Sequence, residues 1–257
     1  MSDDLSLTRE QYDAYFEDGF LVLRGLIPRE RLDAYNQRFL DLVAGKDALP
    51  PGMKIMQDVM VVKGAVQPLT ELHAVNKMLC LEEDPQLFAF AHEPGLVGAL
   101  SSLLGDEMYS LASNVFNKPP GVDGRHPMHQ DLRYFKLGPA DRIVGIWTAM
   151  LPATVESGCL MVIPGSHKGG VREHELPDWD YVNFGFYGIP GIDASMGEPV
   201  ELQPGDTLLF HPLLIHGSGT NNSRHFRRAL STHFAAGDCV SSGRPDWQNN
   251  PFTRRIT

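Results

Sequence analysis

A chain of 257 residues, 42% apolar and 21% charged, is long enough for one large domain and has the composition of an ordinary globular protein. Its formal net charge of −10 excludes a general nucleic-acid binder, and any anion site must be built from local Arg and Lys. No run of about 18 apolar residues suggests a membrane span. The start Met-Ser-Asp-Asp-Leu is no signal or transit peptide, and the end Arg254-Arg255-Ile256-Thr257 is no peroxisomal address. Cys80, Cys159 and Cys239 are widely separated, match no metal spacing and read as reduced thiols. The expectation is a cytoplasmic protein with no nucleic-acid or membrane partner.

In chain order, the first 105 residues read as mostly helical. Thr8 with Gln11 three positions on is a capping box, and the helix it opens carries Tyr12, Tyr15 and Phe16 on one stripe and stops at Gly19. Phe20 to Leu23 reads as a strand. Pro28 opens a second helix with Leu32, Tyr35, Phe39 and Leu42 at helical spacing, closed by Gly45. The stretch from Lys46 to Gly64 is irregular and predicts no element. Asp84-Pro85 starts a helix running to about Ala91. Pro94 starts another, with Leu96, Val97, Leu100, Leu103 and Leu104 inward and Gly105 as its cap.

After Gly105 the texture changes to short strands: Tyr109 to Lys118, Arg142 to Leu151, Gly158 to Pro164, Pro199 to Leu202, Thr207 to Phe210 and Arg228 to Ala235. Gly and Pro turns separate them, with no helices between, which predicts a sandwich or a double-sheet jelly roll. The fold class expected is α+β, a β-core over about 106–240 with helices from about 8–105 on its outside, in a single domain spanning 1–257.

Within the segment His126-Pro-Met-His-Gln-Asp-Leu-Arg-Tyr-Phe135, His129 and Asp131 stand two positions apart, so on an extended chain they share a face. That is two thirds of a 2-His-1-carboxylate facial triad, which leaves three positions open on Fe(II). The second histidine must come from His167, His174, His211, His216, His225 or His233. His211 and His216 differ by five positions and face opposite ways on a strand. His216 precedes the Gly217-Ser218-Gly219 turn, at a strand end open to a cavity, and is the favoured ligand. Arg227, eleven residues on, begins the last strand. Its planar donor fork suits the far carboxylate of a dicarboxylate that chelates the metal at its other end. Period-2 alternation puts Arg227 and Arg228 on opposite faces, so one of that pair at most points inward.

Several blocks resemble the phytanoyl-CoA dioxygenase (phytanoyl-CoA hydroxylase) family of Fe(II)/2-oxoglutarate oxygenases. They are Asn117-Lys-Pro-Pro120, the His126 to Phe135 segment, Trp147-Thr-Ala-Met150, Gly158 to Gly169 and Gly205 to Gly219, and the resemblance runs from about Tyr12 to Asp238. It implies a double-stranded β-helix (cupin-like) core, His129, Asp131 and His216 as iron ligands, and Arg227 on the distal carboxylate of 2-oxoglutarate. Lys77 and Trp147 match further positions that contact the co-substrate. Asn114 stands where the phytanoyl-CoA enzyme has methionine, a departure that implies a differently shaped pocket. The stretch from Tyr181 to Gly197 also diverges and has the place of a lid or substrate loop. The chemistry implied is oxidative decarboxylation of 2-oxoglutarate, with O2, to succinate and CO2, coupled to hydroxylation of a small-molecule C–H. An acid at 131, where a halogenating relative has a small residue, implies a hydroxylase.

Two other classes use the same residues: a non-catalytic cupin-like ligand-binding protein, and a zinc hydrolase built on His129, Asp131 and His216. An intact Arg227 and Trp147 favour the oxygenase, because a hydrolase has no use for a dicarboxylate anchor. The substrate class expected is an acyl-CoA or another carboxylate-bearing small molecule. Arg133, Lys168, Arg172 and Arg224 are the local cations available to CoA phosphates.

Overall fold

The computed structural model describes residues 5–243 and 245–257. Helix α1 (Arg9–Asp18) is capped as its sequence predicts: the Gln11 N–H donates to the Thr8 hydroxyl, the Thr8 N–H donates to the Gln11 side chain, and Gly19 closes it at φ 83°. Strand β1 (Phe20–Leu23) follows, then α2 (Arg29–Val43), β2 (Lys54–Gln57) and the one-turn helices α3 (Val59–Val62) and α4 (Glu71–Ala74). Next come β3 (Val75–Leu79), α5 (Pro85–Phe88), α6 (Pro94–Leu104) and the long strand β4 (Met108–Lys118). The second half is made of β5 (His126–His129), β6 (Leu137–Gly138), β7 (Ile143–Ala149), β8 (Leu160–Val162), β9 (Glu198–Val200) and β10 (Thr207–Phe210). It ends with β11 (His216–Ser218), β12 (Arg227–Ala236), β13 (Val240–Ser241) and β14 (Arg254–Arg255).

Two antiparallel sheets form a jelly roll. The major sheet runs β1-β10-β7-β12-β4-β3-β2, with β14 on the free end of β4, and the minor sheet runs β5-β11-β8-β9. The N-terminal part is therefore less purely helical than its sequence suggests. β1, β2 and β3 all join the major sheet. β2 falls in the stretch that showed no pattern, because its Lys54 and Gln57 are exposed at the sheet edge and leave no alternation to read.

The helices cover the outer face of the major sheet. Leu32 and Phe39 of α2 and Leu96, Leu100 and Leu104 of α6 are buried there against Val115, Val144, Leu230 and Phe234. Burying each such side chain contributes roughly 1.5–3 kcal/mol. No single helix among the described residues is long and apolar enough to cross a membrane. The inner face meets the minor sheet across a second cluster that includes Trp147, Leu160, Val162, Leu208 and Phe210.

Alternation on β12 decides what each sheet face carries. Leu230 and Phe234 point to the helices. Arg228 does too, donating to the side-chain oxygens of Asn117 and Asn36. Arg227, Ala229, Ser231 and His233 take the opposite face, toward the minor sheet.

Candidate metal centre and its anion cradle

β5 and β11 are antiparallel neighbours, and their register sets His129 directly opposite His216. Asp131 follows two residues after His129, at the first turn of a 3-10 helix over Asp131–Tyr134. One donor atom from each of His129, Asp131 and His216 lies within 4.8 Å of the others, and all three residues are buried. The turn that carries Asp131 is held by Gln130. Its amide donates to the carbonyls of Gly170 and Leu213 and accepts from the Arg172 N–H, while its backbone N–H donates to Nε2 of His174.

Both ligand-type imidazoles are fixed in one tautomer. Nδ1–H of His129 donates to the Pro127 carbonyl at 2.8 Å, and Nδ1–H of His216 donates to the Leu214 carbonyl at 3.1 Å. Each Nε2 is left to turn toward Asp131. Nε2 of His129 faces Oδ1 of Asp131 at 3.1 Å, and Nε2 of His216 lies 3.7 Å from Oδ2. Burial pushes His216 down to about 4, so it stays neutral. Burial opposes ionisation of Asp131, but the imidazoles of His216, His233 and His129 around it hold its carboxyl well below the usual carboxylate range. Two imidazole nitrogens and a carboxylate converging on one point form a ligand set that a cation can join. The donor set fits a divalent transition metal.

Beyond the triad, the inner face of the major sheet builds a basic pocket. Asn114, Ser231 and Trp147 are register partners across β4, β12 and β7, and Lys77 is paired with Phe116 one row away. The Arg227 guanidinium is 4% exposed, lies over the Trp147 ring at 5.0 Å, and has an unpartnered Nε. Burial pushes Arg227 down to about 10 and Lys77 down to about 8. Lys77 sits over the Phe116 ring at 4.3 Å, and no acceptor among the described residues meets its ammonium. Buried cations without anions are costly and are retained where a ligand brings the anion. Two cations and an apolar wall fit a small dicarboxylate. Asn114 is half-buried in the same row.

The remaining candidate histidines have other partners. His167 bonds the Phe16 carbonyl, His211 bonds Asp141, His174 receives the Gln130 N–H, and His225 is exposed. Two residues not assigned from the sequence belong to the site. His126 stacks between His129 (4.1 Å) and Phe186 (3.8 Å), with its Nε2 buried and unpartnered. His233 donates from Nε2 to Oδ2 of Asp131 at 2.7 Å. The same alternation that turned Arg227 inward places position 233 on that face, and this was the available signal. A cleft of about 470 Å³ opens beside the centre, lined in part by Arg125, His126, Trp179, Ile189 and Ser218.

The 179–187 segment roofs this region. Trp179 packs on Arg125 (4.0 Å), Tyr181 on Lys63 (5.7 Å) and Tyr187 on Arg133 (4.1 Å). Asn183 anchors its middle: its amide donates to Oδ2 of the buried Asp58 at 2.9 Å and accepts from the Val59 N–H at 2.9 Å.

Two histidines and one carboxylate converging with room beside them are the ligand pattern of non-haem Fe(II) oxygenases, and solved structures share the jelly-roll fold that carries them here. The α-ketoglutarate-dependent carbocyclase SnoK of nogalamycin biosynthesis superposes with a TM-score of 0.70 at 18% identity, covering 98% of this chain and 97% of its own. EctD from S. alaskensis, solved with 2-oxoglutarate and 5-hydroxyectoine, gives 0.69 at 20% identity over 92% of this chain and 78% of its own. The chain belongs to the phytanoyl-CoA dioxygenase (PhyH) family, whose profile it matches over residues 15–229. It is 40% identical over 240 residues to a probable phytanoyl-CoA dioxygenase of Caenorhabditis elegans (90% of this chain, 76% of the relative). To the peroxisomal phytanoyl-CoA dioxygenase of Homo sapiens it is 37% identical over 242 residues (92% and 71%). It is thus a dioxygenase of the 2-oxoglutarate-dependent class.

Proposed function

We propose that the chain, acting as one catalytic domain, holds Fe(II) through His129, Asp131 and His216 and binds 2-oxoglutarate with its far carboxylate on Arg227, to hydroxylate a C–H bond of an acyl-CoA or related carboxylate. The observation that carries this reading is the convergence of Nε2 of two imidazoles, each oriented by a backbone carbonyl at Nδ1, with the Asp131 carboxylate. Buried Arg227 and half-buried Lys77, neither hydrogen-bonded to a carboxylate among the described residues, support the co-substrate assignment and have no use in a hydrolase. When bound, the metal with 2-oxoglutarate and O2 supplies the oxidation: 2-oxoglutarate leaves as succinate and CO2, and a substrate C–H becomes C–OH.

The protein's own share is placement and exclusion of water. Arg227 orients the dicarboxylate by a bidentate grip, with Lys77, Asn114 and Trp147 bounding it. His126 and Phe186 wall the centre on the cleft side. The acyl-CoA lean follows the activity named for the nematode and human relatives. Of the cations available to a phosphate, Arg133 is stacked on Tyr187, Lys168 is engaged by Glu17 at 2.8 Å, and Arg172 and Arg224 are exposed. A reducing, cytoplasmic setting accords with three free cysteines, although the human relative is named peroxisomal; imaging of a tagged chain in its own cells decides between the two.

The test is anaerobic titration with Fe(II) and 2-oxoglutarate, followed by O2 and a panel of acyl-CoAs and free acids. A metal-to-ligand charge-transfer band and substrate-dependent succinate are expected, and Asp131→Ala loses both. A protein that shows neither band nor succinate does not have this function.

A further inference from the structure

The two oxygens of Asp131 have different partners. Oδ1 lies 3.1 Å from Nε2 of His129, while Oδ2 accepts from Nε2 of His233 at 2.7 Å. His233 differs from the two ligand-type histidines in one decisive respect. Their Nδ1 atoms are committed as donors to backbone carbonyls, whereas Nδ1 of His233 bonds nothing among the described residues. Its proton is therefore free to stay on Nε2, the nitrogen that meets the carboxylate. His233 also lies outside the group of donor atoms that converge on one point.

Its mounting is rigid. His233 stands in the middle of β12, paired with Ala112 on one side and Gly145 on the other. Its ring is wedged between Phe135 at 4.7 Å and Phe210 at 5.9 Å. Gly145, which lacks a side chain, leaves room for Phe210 beneath it. A donor fixed in the major sheet thus restrains a carboxylate that the minor-sheet side presents.

We propose that His233 is a positioning residue of the metal centre: its Nε2–H occupies Oδ2 of Asp131, so that the carboxylate offers the metal one oxygen and leaves the remaining positions to co-substrate and O2. This inference rests on the metal reading above. It assigns His233 no contact with the metal, the co-substrate or the substrate. Partners that orient a metal-bound carboxylate typically contribute about 10–100-fold to metal affinity.

The experiment compares the parent protein with His233→Phe, His233→Gln and His233→Asn under anaerobic conditions, reading Fe(II) affinity, the charge-transfer band with 2-oxoglutarate and the melting temperature of the metal-free protein. His233→Phe keeps the ring and removes the donor. It is expected to bind Fe(II) about 10–100-fold more weakly, with a displaced band and little change in metal-free melting. His233→Gln, long enough to donate to Oδ2, restores most of the affinity, while the shorter His233→Asn does not. If His233→Phe binds Fe(II) within a factor of about two of the parent, with the band unmoved, the assignment is overturned. Should the Phe variant fail to fold, equal affinities for the Gln and Asn variants overturn it instead. A parent protein without any band overturns this inference together with the metal reading; a normal parent with unaffected variants overturns this inference alone.

Discussion

Arg227 and Lys118 face each other as register partners on β12 and β4, two buried cations with no carboxylate between them. Lys118 donates to the Ser218 hydroxyl at 2.9 Å and to the Gly219 carbonyl, and burial, with the Arg227 charge beside it, holds its ammonium well below the ordinary lysine range. Arg227 has no comparable acceptors. A buried guanidinium with an unpartnered Nε carries an electrostatic cost that an anion would relieve.

Arg227→Met is accordingly expected to stabilise the ligand-free protein by about 1–2 kcal/mol, or a rise in melting temperature of about 2–4 °C per kcal/mol for a chain of this size. The same change weakens 2-oxoglutarate binding by about 10–100-fold, through loss of a bidentate charged contact. Calorimetric melting and isothermal titration on one preparation check both. A variant that melts lower and still binds 2-oxoglutarate normally would falsify the anchor role.

Lys77 gives a pH signature. Burial pushes it down to about 8, below its value in the unfolded chain. Between those two values the unfolded chain binds more protons than the folded one, so metal-free stability rises with pH from about 8 upward, and below that the full cost of the buried charge is present. Affinity for 2-oxoglutarate moves the other way, falling as pH climbs through about 8 and the ammonium is lost. Lys77→Met should flatten both profiles. Denaturation and binding measured across the alkaline range would expose an error if parent and variant ran parallel.

Gly145 is required by its neighbour. A Cβ there would stand 2.4 Å from Cζ of Phe210, whose ring packs 4.8 Å from His216 and 5.9 Å from His233. Gly145→Ala should cost about 1–3 kcal/mol by overpacking and weaken Fe(II) binding by displacing those rings. Adding Phe210→Leu should recover part of both losses. A purely additive double-mutant cycle would show that the two residues are uncoupled.

Asn183 fastens the 179–187 roof to Asp58. Asn183→Ala removes a hydrogen bond to a buried carboxylate, worth about 1.5–3 kcal/mol, most of it local to the segment. Limited proteolysis should cut between Pro177 and Gly188 several-fold faster, and succinate formed without product should rise. Unchanged cleavage would mean that the three aromatic–cation contacts suffice to hold the segment.

Much of the candidate centre's arrangement was legible in the sequence because it follows from short-range geometry. His129 and Asp131 are two residues apart, and the opposed faces of Arg227 and Arg228 follow from strand alternation alone. The strands β4, β7, β10 and β12 were legible as long or strongly apolar runs. The role of His233 was not, because its meeting with Asp131 depends on how β12, β4 and β7 register and on where the chain turns after β5. β2 was hidden for a different reason. It is four residues long, with charged or polar ends at a sheet edge, and so has no internal pattern. The Asn183–Asp58 anchor spans 125 positions, and neither partner carries a local signal of the other.

The centre and the cradle belong to different sheets. His129 and His216 stand on β5 and β11 of the minor sheet, while Arg227, Trp147, Lys77 and Asn114 all stand on the major one. In the proposed site the distance from metal to anchor is therefore set by the thickness of the sandwich, about 10 Å between facing sheets, and not by any single loop. A dicarboxylate that spans metal and arginine is in effect a strut cut to that thickness. Substitutions at Val162, Leu208 or Phe210 that swell or thin the layer should thus change the length of dicarboxylate the protein prefers, without touching any residue proposed to bind it.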